Sequence, residues 1–423
     1  MIAAICSATA SFAQTGDWNG KLEVMGTTIT MVFHIGDEKS SLDVPEQGAK
    51  DIPVQATITP PISVKLAIPM IRATYEGVFM GHKILGTFTQ HGQSFPLTLM
   101  PGAPLLKRPQ TPQPPFPYAT EEVSFTNGDA TLKGTLVLPE GCDKNTPVVV
   151  FVTGSGLQNR DEEIHEHKPF AVIADALARA GIASMRYDDR GFGESTGDII
   201  NVTTEDLKND ALAGVELMRQ RFTKVGILGH SEGGTIALML AAEHKTDFIV
   251  SLAGGVISLK ETLLWQNRQF MSAAGYDDAV VDEYCKALTD TYNAIVAGTN
   301  PPAADGYNLP AELKKNLQMI VAQSSTPYMR YFLQLDLTDS LSKVTCPVLA
   351  LNGTKDTQVW CERNLSALQN GLPATKGNCI RAIEGVNHLF QHCQTGHVSE
   401  YLAIEETISP EVLKDIVEWM KSL

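Results

Sequence analysis

The sequence predicts an α/β protein: a mostly parallel sheet flanked by helices, interrupted by a helical insertion and preceded by a small all-β domain. Three observations carry this. From Tyr118 onward, short β-branched apolar runs alternate with segments of helical period, the pattern of parallel strands covered by helices on both faces. Between about Gly255 and Leu341 the β runs stop and helical patterns follow one another. Ahead of Lys107 the helical period is absent, and short alternating segments are punctuated by Gly and Pro.

A chain of 423 residues exceeds one ordinary domain of roughly 100–200 residues, so two domains are expected. With 43% hydrophobic and 19% charged residues the composition is that of a globular protein, not a disordered or fibrous one. The formal charge of −15 repels phosphate backbones and anionic lipid, which argues against a nucleic-acid or membrane-surface partner. Past the N-terminus no run reaches the ~18 apolar residues of a stable membrane span. Met1 to Gln14 is apolar and ends in Ser11-Phe12-Ala13, the small-x-small form of a signal-peptidase site. Residues 1–13 therefore read as the remainder of a signal peptide, and the protein as exported to a bacterial periplasm or secreted. Beyond Cys6 lie six cysteines, an even number that an oxidising compartment permits to pair, with Cys361 to Cys379 or Cys393 as the candidate staple.

Residues 14–106 form the β domain, with alternating segments at Thr28 to His34, Ile62 to Ile68 and Ile84 to Phe88. Residues 107–117, KRPQTPQPPFP, are dense enough in Pro to predict an extended, semi-rigid linker. The larger domain, 118–423, opens with a β segment from Glu122 to Leu138. Buried strands follow at Pro147 to Thr153, Ile182 to Tyr187, Lys224 to Gly229, Phe248 to Leu252 and Cys346 to Asn352. Helices are expected at Phe170 to Ala180 and Thr203 to Phe222, and the insertion at about 255–341 reads as a cap.

Gly229-His230-Ser231-Glu232-Gly233 sits where a buried strand passes without a gap into the helical run Gly234 to His244. A tight strand-to-helix turn throws its central side chain into an exposed, strained position, and flanking glycines are needed because a Cβ there would clash with neighbouring backbone. The turn also sets the Glu232 N–H beside the place where an acyl oxyanion would form. A serine hydroxyl is too weakly acidic to attack unaided and needs a base, and the base needs an orienting group. Asp356, after the strand and Gly turn of CPVLALNGTKD, and His388, at the end of IRAIEGVNH, supply both. The turn Thr153-Gly154-Ser155-Gly156-Leu157 ends an earlier strand, where a second oxyanion amide is expected; Ser155 N–H is favoured, with Gly156 or Leu157 as neighbours.

GHSEGG, GSGLQNRDE, RYDDRGFGES, and NGTKD followed by GVNHLFQ resemble the α/β-hydrolase superfamily, specifically its EstD-like bacterial carboxylesterases with a β domain ahead of the hydrolase. The resemblance covers about Tyr118 to Leu423. It implies Ser231 as nucleophile, His388 as base, Asp356 as acid, an α/β-hydrolase fold, and hydrolysis of small-molecule acyl esters. Thr153 departs from the pattern, standing where many superfamily members carry histidine.

Neither a metal nor an organic cofactor is implied. Asp161-Glu162-Glu163 with His165 and His167 lacks the spacing of HExxH and reads as the solvated start of a helix. Asp188 to Gly193 reads as a structural turn whose Asp and Arg satisfy loop groups. His392 and His397 read as surface residues. Two other functions stand beside the esterase: a serine peptidase or aminoacyl-ester hydrolase of the same fold, and a catalytically silent binding protein. Oligomeric state has no signature in the sequence.

Overall fold

The computed structural model describes residues 15–24, 27–36, 38–47, 49–59, 63–80, 82–102 and 108–423, so the expected signal-peptide remnant lies outside the described residues. The chain forms two compact units divided between Lys107 and Arg108, with Tyr401–Ala403 grouped with the first.

The first unit is a closed antiparallel barrel of eight strands: β1 (Gly16–Val24), β2 (Thr27–Ile35), β3 (Ser40–Val44), β4 (Ala49–Thr59), β5 (Ser63–Ile68), β6 (Ala73–Met80), β7 (Lys83–Gln90) and β8 (Gln93–Pro101). Each strand pairs with the next in sequence, and β1 closes on β8 through Trp18↔Pro101 and Asn19↔Met100. Eight strands enclose a space just wide enough for side chains to fill. Phe33, Leu42, Leu66, Tyr75, Ile84 and Leu99 fill it, all fully buried. The Tyr75 hydroxyl lies within hydrogen-bond distance of the carbonyls of Ile84 and Leu97, at 3.3 and 3.2 Å.

The second unit begins with a hairpin, β9 (Ala119–Asn127) and β10 (Ala130–Leu138), turned through Gly128 at φ +57°. Then follow β11 (Val148–Val152), α1 (Pro169–Arg179), β12 (Ala183–Tyr187), α2 (Thr204–Arg219), β13 (Val225–His230), α3 (Glu232–Ala242) and β14 (Ile249–Leu252). An insertion of α4 (Leu259–Ala273), α5 (Asp278–Ala297), α6 (Ala311–Ser324) and α7 (Pro327–Phe332) precedes β15 (Val348–Gly353), α8 (Cys361–Gly371), β16 (Cys379–Ile383) and α9 (Pro410–Lys421). The sheet order is β16-β15-β14-β13-β11-β12-β10-β9, parallel from β16 to β12 and antiparallel in the last two strands. This is the α/β-hydrolase architecture.

Successive residues of a strand point to opposite faces. Val148, Val150 and Val152 therefore join a core with α2, α3 and α8, while Val149 and Phe151 join one with α1 and α9. The insertion carries a core of its own, around Tyr284, Leu288, Tyr292, Leu317 and Leu333.

Two expectations change here. The Pro-rich segment is no free spacer from Arg108 on: Arg108 donates to the carbonyls of His165 and Ile404, and Gln110 both donates to Ile408 O and accepts from Thr407 N. Donor-bearing side chains between the prolines fasten it to the second unit. The six described cysteines are free thiols. Cys361 donates instead to Asn352 O and Cys393 to Gly385 O, so the suggested staple is absent.

Candidate active site

β13 is buried at every position and ends in His230; α3 begins at Glu232. Ser231 between them sits at φ 54°, ψ −118°, a conformation costly for a residue with a Cβ. The surroundings enforce it. Ser231 N donates to Leu252 O at 2.8 Å, and the glycines on either side permit a backbone approach that no other residue would. A Cβ on Gly229 would lie 2.0 Å from the backbone carbonyl oxygen of Gly233, and one on Gly233 2.0 Å from that of Val152.

The loops after β15 and β16, two strands that run parallel to β13, carry Asp356 and His388 at the carboxyl edge of the sheet. Asp356 Oδ2 lies 2.7 Å from His388 Nδ1, and both residues are buried. The other oxygen, Oδ1, accepts from Gln358 N at 2.7 Å and Val359 N at 2.9 Å, so the carboxylate has one orientation. A carboxylate on Nδ1 leaves Nε2 of His388 as the nitrogen able to accept a proton.

Buried polar groups hold the His388 loop from below. Asn387 Oδ1 accepts from Leu389 N and Gln391 N, its amide donates to Gln391 Oε1, and Gln391 meets His167, which meets Thr407. His230 bridges two other parts of the site. Its Nε2 lies 2.9 Å from His388 O, and its Nδ1 lies 3.0 Å from Glu162 Oε1, which also accepts from Gly154 N at 2.8 Å. The His230 and His388 rings are 4.7 Å apart. Burial opposes a charge on His230, but the charge and hydrogen bond of Glu162 outweigh it and raise its pKa above the ordinary value.

These partners correct the reading of Asp161 to His167 as a solvated segment: Glu162 is 1% and His167 0% exposed. The segment is irregular and carries no period from which burial could be read; Glu162 itself sits at φ 52°. The neighbouring turn is structural, as its composition suggested. Asp188 pairs with Arg160, and Arg190 makes a two-pronged contact with Asp210 at 2.7 Å on each side. Thr153, in the departing position, donates to Asp189. Burial pushes the Asp189 carboxyl up to about 8, against the Thr153 and Gln158 donors that favour its charge.

Ser231 opens into a cavity of about 240 Å³ bounded by Ser155, Glu232 and side chains of the insertion. Its walls are mainly apolar, with Val256, Leu263, Met329, Phe332 and Val359 among them. Ser155 and Glu232, the two expected oxyanion residues, thus meet at one cavity with Ser231. Because Gly154 N is occupied by Glu162, the free amides of that turn begin at the next residue. Tyr328, from α7, completes the polar end of the cavity; nothing in the sequence pattern of a helical insertion marks it.

A serine on a strained strand-to-helix turn, with a histidine–carboxylate pair on the loops of neighbouring parallel strands, defines the protein as a serine hydrolase. The chain belongs to the X-Pro dipeptidyl-peptidase (S15) family, whose model matches residues 127–394. It is 26% identical over 323 residues to Esterase EstD of Thermotoga maritima, covering 72% of this chain and 70% of that relative. Among solved structures it is similar to Est1E of Butyrivibrio proteoclasticus, at 18% identity and a TM-score of 0.43 over 71% of this chain and 98% of the other. It is also similar to the Pyrococcus furiosus esterase Pf2001, at 15% identity and a TM-score of 0.45 over 76% and 98%.

Proposed function

We propose that the protein is a carboxylic-ester hydrolase working through an acyl-enzyme on Ser231. The observations that carry this are the Ser231 turn opening into a mainly apolar cavity and the His388–Asp356 pair, whose loop meets His230, the residue before Ser231. In the first step His388 Nε2 takes the Ser231 proton while Oγ bonds to the ester carbonyl carbon. The carbonyl oxygen becomes an oxyanion held by the amides of Ser155 and Glu232. The intermediate collapses, the C–O bond to the alcohol breaks, and His388 returns its proton to the leaving oxygen. Water then attacks the acyl-Ser231 ester with the same base and frees the acid. The cavity suits a short apolar acyl or alcohol group, and the relative from Thermotoga maritima, named an esterase, supports the ester reading.

The family description favours a second reading, in which the scissile bond is an amide or aminoacyl ester. A fluorophosphonate should label wild type at Ser231 and leave Ser231→Ala unlabelled. p-Nitrophenyl esters of short acids, run beside aminoacyl and X-Pro anilides, then decide between the readings. Faster turnover of the anilides would overturn the esterase assignment. We also propose export, on the Met1 to Gln14 run; N-terminal sequencing of the mature chain should begin at Gln14.

A further inference from the structure

The proposed mechanism uses the backbone of Glu232 and leaves its carboxylate without a task. Glu232 is 2% exposed and stands at the polar end of a mainly apolar cavity. A buried carboxylate is costly unless its oxygens are matched by donors. Here three hydroxyl groups converge on it. Thr204 Oγ1, in the first turn of α2, donates to Oε1 at 2.7 Å, and the Tyr328 hydroxyl donates to Oε2. The Ser155 hydroxyl lines the same cavity beside Glu232 and Tyr328, and its single proton favours the charge on Glu232. Burial raises the Glu232 pKa, and the three hydroxyls work against that rise.

The donors come from separate parts of the unit: α2, the turn after β11, and the last helix of the insertion. Two of the residues joined, Ser155 and Glu232, are those whose amides face the oxyanion in the reading above. Another, Tyr328, belongs to the insertion. A second tyrosine of α7, Tyr331, donates to Glu205 of α2 at 2.8 Å, so the helix is fastened to the sheet domain at two points.

We propose that the Glu232 carboxylate is a positioning residue that sets the separation of the two oxyanion amides, and that Tyr328 extends this control to the insertion. The cap is then part of the device that holds the oxyanion, and not a filter above it. This rests on the ester-hydrolase reading of Ser231. Oxyanion donors are effective only when held at 2.7–3.1 Å from the developing charge, so loosening their common anchor lowers kcat with little effect on ground-state binding.

The test compares Tyr328→Phe, Glu232→Gln and the double variant with wild type, each checked for a cooperative melt and for stoichiometric fluorophosphonate labelling. Tyr328→Phe should lower kcat about tenfold for p-nitrophenyl acetate and butyrate alike, leave KM within about twofold, and weaken a trifluoromethyl ketone by the same factor as kcat/KM. Glu232→Gln should cost about 10²-fold, roughly that of one lost oxyanion donor, and the double variant should fall no further, since both act through one anchor. A Tyr328→Phe enzyme with kcat and ketone affinity unchanged would overturn the proposal. So would a loss confined to bulky acyl groups, which makes Tyr328 only a wall, or to cationic substrates, which makes Glu232 an ammonium site. Absence of labelling and turnover in wild type would instead refute the Ser231 reading itself.

Discussion

The barrel and the hydrolase unit are both packed around large apolar cores, yet they differ in what else they bury. Among the described residues every buried side chain that is polar or charged lies between Thr153 and Ser409, and the barrel has none, its Tyr75 hydroxyl being satisfied by two strand carbonyls. A closed barrel pairs its backbone by ladder and needs no polar side chain inside. The hydrolase unit must instead satisfy the loops where its strands leave the ladder, and there Glu162, Asp189, His230, Asn387 and Gln391 cluster. Buried polarity therefore separates a unit built to be stable from one built to hold reactive groups in place.

The largest break in this comparison is expected at the proposed nucleophile. Ser231→Ala should lower esterase kcat by about 10⁶, and Asp356→Asn by about 10⁴ through loss of the imidazole's orienting partner. Purified variants with unchanged melts assayed on p-nitrophenyl butyrate measure both. A chain beginning at Arg108 should still hydrolyse the same ester, because every proposed catalytic group lies after that residue. Complete inactivity of a folded truncation would show that the barrel completes the site.

Stability should divide the same way. Asp210→Ala strands the buried Arg190 guanidinium and should cost about 3–5 kcal/mol, lowering the urea midpoint of the hydrolase unit. Tyr75→Phe removes only a hydroxyl from the barrel and should cost about 1 kcal/mol without altering kcat. Equal costs would end the contrast drawn here.

The pH dependence sharpens it further. His230 has a raised pKa in the folded protein, so the stability it gains from Glu162 is complete below its ordinary value of 6.5 and is lost as pH rises through the folded value. The urea midpoint of wild type should therefore exceed that of Glu162→Gln most at pH 6, and the gap should narrow at pH 9. A gap that widened with pH would mean that the pair is not an ionised imidazolium and carboxylate.

Much of this was legible in the residues themselves. Apolar runs such as PVVVFVT and KVGILG specify buried parallel strands, because strands covered on both faces need no alternation. The Ser231 turn was readable from two glycines that only a close backbone approach requires, and Asp356 and His388 from their places after successive strands. Period-2 segments marked the β domain, but the number of strands and their closure depend on pairings between distant residues. Glu162, His167 and Tyr328 were missed for a related reason. They lie on an irregular loop and a helical insertion, and only distant partners bury them.

The sequence by itself determined the order of elements, the strained serine and the chemistry open to it, since these follow from local sterics and from the periods of strand and helix. Tertiary structure alone decided which side chains meet: His230 with Glu162, Gln391 with His167, and three hydroxyls on the Glu232 carboxylate. The physical reason is range. A backbone conformation is selected within a few residues, whereas a buried charge is tolerable only where remote segments bring donors to it, and no local pattern encodes that meeting.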